Sequence, residues 1–173
     1  CWSMSELEEY IYVGTGRNIP VNIIRLLEPN TQIPDILNPG IIDNLAEIWR
    51  YKKNESLPWE RVYKAPVDSQ ITGFRYMIQH RPFCGSPCIY AATYGQTVQI
   101  LKTTNGVNWF ILPDNVLEGT SSRSMVNHNG KVYVATIDEI NPSTNSLLYS
   151  SVDPEFYPWE QVINYNAPDF DPA

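Results

Sequence analysis

The side chains able to do chemistry in this sequence are few. Cys84 and Cys88 flank Gly85-Ser86-Pro87, with His80 just upstream. A Cys-x3-Cys pair with no second pair leaves a four-ligand zinc site incomplete. Three readings stand for it: a loop disulfide, two free thiols, or a metal shared with His80. A disulfide would imply an oxidising compartment, outside the cell or on its surface; free thiols suit the cytoplasm equally well. Cys1 is left over, and either a lipid-modified residue or a boundary of the sequence accounts for it. Asn54-Glu55-Ser56 fits the N-glycosylation acceptor pattern. There is no Gly-x-Ser-x-Gly, no triad order of Ser, His and Asp, and no phosphate-binding glycine loop. No catalytic residue, resident metal or cofactor is therefore expected.

Bulk properties narrow the partners. The chain carries 12 Lys and Arg against 19 Asp and Glu, a formal charge of −7, which disfavours nucleic acid and anionic membrane surfaces. No apolar run approaches the roughly 18 residues of a membrane helix. With 43% hydrophobic and 12% aromatic residues, the chain can build a core and is not disordered by composition. Fourteen prolines argue against an all-helical protein.

The elements that would position these groups show themselves as a repeat. Trp59, Trp109 and Trp159 stand at fifty-residue intervals. Leu57-Pro58-Trp59-Glu60-Arg61-Val62 matches Tyr157-Pro158-Trp159-Glu160-Gln161-Val162, and Asn108-Trp109-Phe110-Ile111-Leu112 is a looser middle copy. Tyr10-Ile11-Tyr12-Val13-Gly14-Thr15, Cys88-Ile89-Tyr90-Ala91-Ala92-Thr93 and Lys131-Val132-Tyr133-Val134-Ala135-Thr136 correspond further upstream. Met4, Met77 and Met125 hold one repeat position, and His80 and His128 hold another. Each unit reads as four short strands. In the third unit these are 121–128, 131–137, 146–152 and 158–164, and Asn129-Gly130 is a two-residue hairpin turn. The runs are rich in β-branched and aromatic residues, and several are apolar on both faces, as in sheets covered on both sides. The sequence thus predicts an all-β chain. It would be a partial or half-ring β-propeller of three four-stranded antiparallel blades, near 1–64, 73–115 and 121–165, in one domain. The methionines and Tyr12, Tyr90 and Tyr133 are expected at equivalent buried sites, and the three tryptophans at equivalent places on outer strands.

The segment Lys102-Thr103-Thr104-Asn105-Gly106-Val107-Asn108-Trp109 resembles a degenerate Asp-box, the Ser/Thr-x-Asp-x-Gly-x-x-Trp turn of sialidase-like propellers. The whole repeat is similar to bacterial kelch-like or Asp-box propellers. It departs from them in lacking the kelch double glycine and in carrying Asn105 in place of the box aspartate. On this reading the first and third units lack the box. The resemblance implies a propeller. Because the box is a structural turn, it implies no activity by itself.

Propellers typically close with about four to eight blades, so three predict a second half, supplied by another copy or by the rest of a longer chain. A connection of thirty residues, 16–45, interrupts the first unit and is expected to pack on the fold or to rim a binding site. Trp2, Arg75 and Arg123 hold one repeat position at the start of the inner strands, on the face that carries this insertion, which Arg17 opens. Two readings of them stand. They bind an anionic or sugar ligand, or the arginines pair with carboxylates between blades while Trp2 packs. Glu60 and Glu160 are repeat-related surface positions and not an acid/base pair. The equivalence of His80 and His128 indicates packing or turn hydrogen bonding. The function expected is a non-enzymatic binding or scaffold module for a glycan or protein surface. The alternative, implied by the resemblance, is part of a secreted sialidase-like glycoside hydrolase whose catalytic residues lie elsewhere.

Overall fold

The computed structural model describes residues 1–21, 24, 28, 30–38, 41–82, 85–113, 117–139, 141 and 147–163. The fold is all-β. Among the described residues the strands are β1 (Ser3–Leu7), β2 (Tyr10–Gly14), β3 (Glu47–Lys52) and β4 (Glu60–Lys64), then β5 (Gly73–His80), β6 (Cys88–Tyr94), β7 (Ile100–Thr103) and β8 (Phe110–Ile111), then β9 (Ser121–His128), β10 (Lys131–Ile137), β11 (Leu147–Ser151) and β12 (Glu160–Gln161). The fourth strand of the third unit is shorter than expected. Its first three strands fall within a residue of the expected bounds.

Each run of four forms an antiparallel meander, each connection, whether a tight turn or the long insertion, returning the chain beside the strand it has just left. Asn129 and Gly130 both take positive φ, 48° and 75°, as a two-residue hairpin requires. β1 to β4 form one sheet. β5 to β8 and β9 to β12 are joined by one residue pair, Tyr94 with Ser121, into an eight-stranded sheet that curls as a half-barrel. A single bridge between Gly16 and Gly73 ties the four-stranded sheet to the next. The three first strands are spatial neighbours, β1 against β5 and β5 against β9.

Apolar side chains on both faces of the strands produce two cores. One lies between the first and second meanders and holds Tyr12, Ile48, Phe74, Met77, Ala91 and Leu101. The other lies between the second and third and holds Tyr90, Ile100, Met125, Val134, Tyr149 and Trp159. Three layers make two joints, and one face at each end of the array has no neighbouring meander among the described residues. That explains a correction. Met77 and Met125 are 4% and 3% exposed, as expected, but Met4 is 57% exposed. All three point toward the preceding meander, and the first has none. Tyr12 and Tyr90 are buried by the following meander, and Tyr133, which has none, is only half-buried. The tryptophans keep their register, each one residue before a fourth strand. Trp159 is buried and Trp59, on the uncovered face, is 48% exposed.

The insertion is held at its root, where the Arg17 amide donates to the Thr72 carbonyl and the Asn18 amide group to the Leu37 carbonyl at 2.6 Å. Val21 is fully buried and Asp35–Leu37 form a 3-10 turn.

Candidate functional site

The starts of the first strands bring Trp2, Arg75 and Arg123 to one end of the array, as the repeat position predicts. Trp2 precedes β1, and its own amide is tied to the Gly14 carbonyl at 2.9 Å. Its indole lies over Gly16 and Gly73. A Cβ on either glycine would fall within 2.5 Å of the ring, so both positions must lack a side chain for the indole to seat. Tyr94 meets the indole edge-on at 5.4 Å between centroids, and the Arg75 guanidinium stands 5.1 Å from its centre, within cation–π range.

The arginines are not bare cations. Arg75 donates to one Glu139 carboxylate oxygen at 2.8 Å and to the Ser121 hydroxyl at 3.1 Å. Arg123 reaches the same Glu139 oxygen at 3.0 Å. The Glu139 amide is fixed by the Thr120 hydroxyl at 2.9 Å. Nothing in the composition or the repeat singled out Glu139 or Tyr94, because Glu139 sits in a connection whose length and sequence differ in each unit. Burial first, and the Glu139 carboxylate beside it, push the Tyr94 hydroxyl above its ordinary pKa. The cluster carries two guanidinium groups against one carboxylate, with an aromatic surface alongside.

Arg17 turns away from this cluster. It pairs with Glu47 at 3.6 Å. Glu47 is 5% exposed and also accepts from Trp49 at 3.0 Å and from Arg61 at 2.9 Å. A buried carboxylate needs such partners, so Arg17 serves the root of the insertion.

The histidines separate despite their equivalence. His80 is buried and its Nδ1 lies 3.0 Å from the Asn127 carbonyl oxygen, while the Asn127 amide donates to the Gln79 carbonyl at 2.6 Å. That fixes Asn127 as the acceptor and His80 Nδ1–H as the donor. Burial lowers the His80 pKa. His128 is exposed, and both line an open cleft of about 450 Å³ with Gln79, Arg81, Pro87 and Asn127. Cys88 carries a free, buried thiol that donates to the His80 carbonyl at 3.4 Å, and burial raises its pKa. Cys84, the other half of the expected pair, lies outside the described residues. Among the described residues no three His, Cys, Asp or Glu side chains gather as a metal site would need.

The Asp-box-like turn is built as its sequence suggests. The Asn105 side-chain oxygen accepts from the amides of Val107 and Asn108 at 3.0 and 2.8 Å, and the Thr103 hydroxyl accepts from Gly106 at 2.9 Å. The third unit, which lacks the box, carries a polar turn of its own at the same place. Strand register makes Ser151 and Asp153 the counterparts of Thr103 and Asn105. Asp153 accepts from the Glu155 amide at 3.2 Å, and its backbone carbonyl accepts from Phe156 and Tyr157. Two extra residues separate this turn from Trp159, and no glycine stands in it. No protein-family model matches the chain, and no curated protein matches it.

Proposed function

We propose that the chain is a three-blade arc of a β-propeller. We further propose that it works as a non-enzymatic binding or scaffold module, taking a glycan or protein surface at the end where the first strands begin. The observation that carries the reading is the convergence of Trp2, Arg75 and Arg123 on that end. An indole face with planar, multiply donating groups beside it suits hydroxyl- and carboxylate-bearing ligands. Arg123 is the more open of the two cations, its side chain 44% exposed against 26% for Arg75, so it is the first to meet a ligand. The propeller reading is supported by three successive meanders, paired strand to strand at one residue pair per joint among the described residues, with a core in each joint. Screening on an array of neutral and acidic glycans tests the function. Binding that falls at least tenfold in Arg123→Ala, with the fold intact, is the expected result. Binding unchanged by Arg123→Ala and Trp2→Ala would contradict it.

One observation favours the hydrolase alternative, the meeting of Tyr94 and Glu139 beside two arginines. Against it, Glu139 is occupied by both guanidinium groups, and burial pushes the Tyr94 hydroxyl above its ordinary pKa. Turnover of an activated sialoside, abolished in Tyr94→Phe, would reverse the preference.

A further inference from the structure

Both joints use the same two fittings. At the first, Met77 lies against Gly14, where an added Cβ would come 3.1 Å from the methionine Cε, and Tyr12 meets Trp109 at 6.1 Å between ring centroids. At the second, Met125 and Ala92 share a buried cluster with Tyr90 and Trp159. Strand register makes Gly14, Ala92 and Ala135 one position and Tyr12, Tyr90 and Tyr133 another, since Met4 pairs with Val13, Met77 with Ala91 and Met125 with Val134. Three methionine knobs and three small-residue sockets therefore serve two joints. One knob is left at the first meander, where Met4 and Trp59 line an apolar groove of about 310 Å³ with Val13 and Trp49. One socket is left at the third, where Ala135 and Tyr133 are half-buried.

We infer that the uncovered face of β1–β4 in one copy takes the uncovered face of β9–β12 in a second copy of this chain, twice about a two-fold axis, closing a ring of six meanders. The inference rests on the propeller reading above. A second copy is the occupant because the leftover knob and the leftover socket sit on opposite outer faces of the same chain, each matching the fitting that fills the inner joints. Two copies then satisfy each other completely, whereas the same contact made without closure would run on as a filament. Charge agrees. Across the second joint, Lys102 is held by Glu155 and lies 3.8 Å from Asp153. At the new joint the positions of Lys102 and Asp153 are Ser150 and Lys53, so no like charges oppose. The closed ring also completes the axial end. Arg75 stands over Trp2 of the preceding meander, and closure sets the partner's Trp2 beside Arg123.

Light scattering for mass, with small-angle X-ray scattering on the same samples, tests this on the full chain under reducing conditions. The expected mass is twice 19.8 kDa at tens of micromolar protein. Trp59→Lys and Tyr133→Glu should each return the mass to one chain, and the double variant should restore the dimer by setting lysine against glutamate. Both side chains lie outside the two cores, so circular dichroism should be unchanged. Met4→Lys replaces Trp59→Lys if that variant does not fold. A dimer that survives both single variants, or a double variant that stays single, overturns the inference. A wild-type chain of single mass also overturns it. In that case a scattering curve matching a curved three-meander arc leaves the propeller reading standing, and one matching separately moving sheets removes both.

Discussion

At the residue scale, environment decides what equivalent side chains do. Trp159 and Trp59 share a repeat position, yet one is 4% and the other 48% exposed. In the dilute single chain, Trp159→Ala should cost about 3–5 kcal/mol and Trp59→Ala about 0.5 kcal/mol, measured by denaturant unfolding. His80 offers a pH test. Its folded pKa lies below the unfolded value of about 6.5, so between about pH 7 and pH 5 the unfolded chain takes up a proton that the folded chain refuses. Stability should fall as pH falls through that window, and His80→Gln should flatten the slope; an unchanged slope would show that His80 charges freely in the fold. The sequence made His80, His128 and the repeat-aligned Trp2, Arg75 and Arg123 visible because they are rare or periodic. It left Glu139 and Tyr94 unmarked, since their value comes from contacts between meanders. Periodicity also could not separate buried Met77 from exposed Met4, because exposure depends on the neighbour and not on the strand.

At the scale of elements, turns and close approaches fix the register. The strands were legible because hairpin residues, β-branched runs and tryptophans mark their ends. The turn at Asp153 was not, because a two-residue expansion breaks the spacing while the side-chain chemistry persists. Removing the caps with Asn105→Ala, which loses two hydrogen bonds to backbone amides, should cost about 1–2 kcal/mol. Asp153→Ala should fall in the same range, and a negligible effect there would mean the two turns are not equivalent. Between meanders, Gly14 is a close approach. A Cβ there would meet the Ser3 hydroxyl at 2.5 Å and Phe74 Cβ at 2.6 Å, and would displace the buried bond from Ser3 to the Phe74 carbonyl. Gly14→Val should therefore destabilise by about 1–3 kcal/mol. Ala92→Gly, at the matching position of the next joint, should cost only about 1 kcal/mol, both read by thermal unfolding.

At the scale of the whole molecule, three layers with two cores leave one knob-bearing and one socket-bearing face at opposite ends of the array. The three methionines report on this arrangement directly, because one sits in each layer at the same position. Peroxide oxidation followed by peptide mass spectrometry measures their accessibility in one sample. Met77 and Met125 should resist oxidation in the folded chain at every protein concentration. Met4 should oxidise readily in dilute protein and become protected as concentration rises and its face is covered. Oxidation of Met77 or Met125 as fast as Met4 in folded, dilute protein would contradict the stacked arrangement from which the account is built.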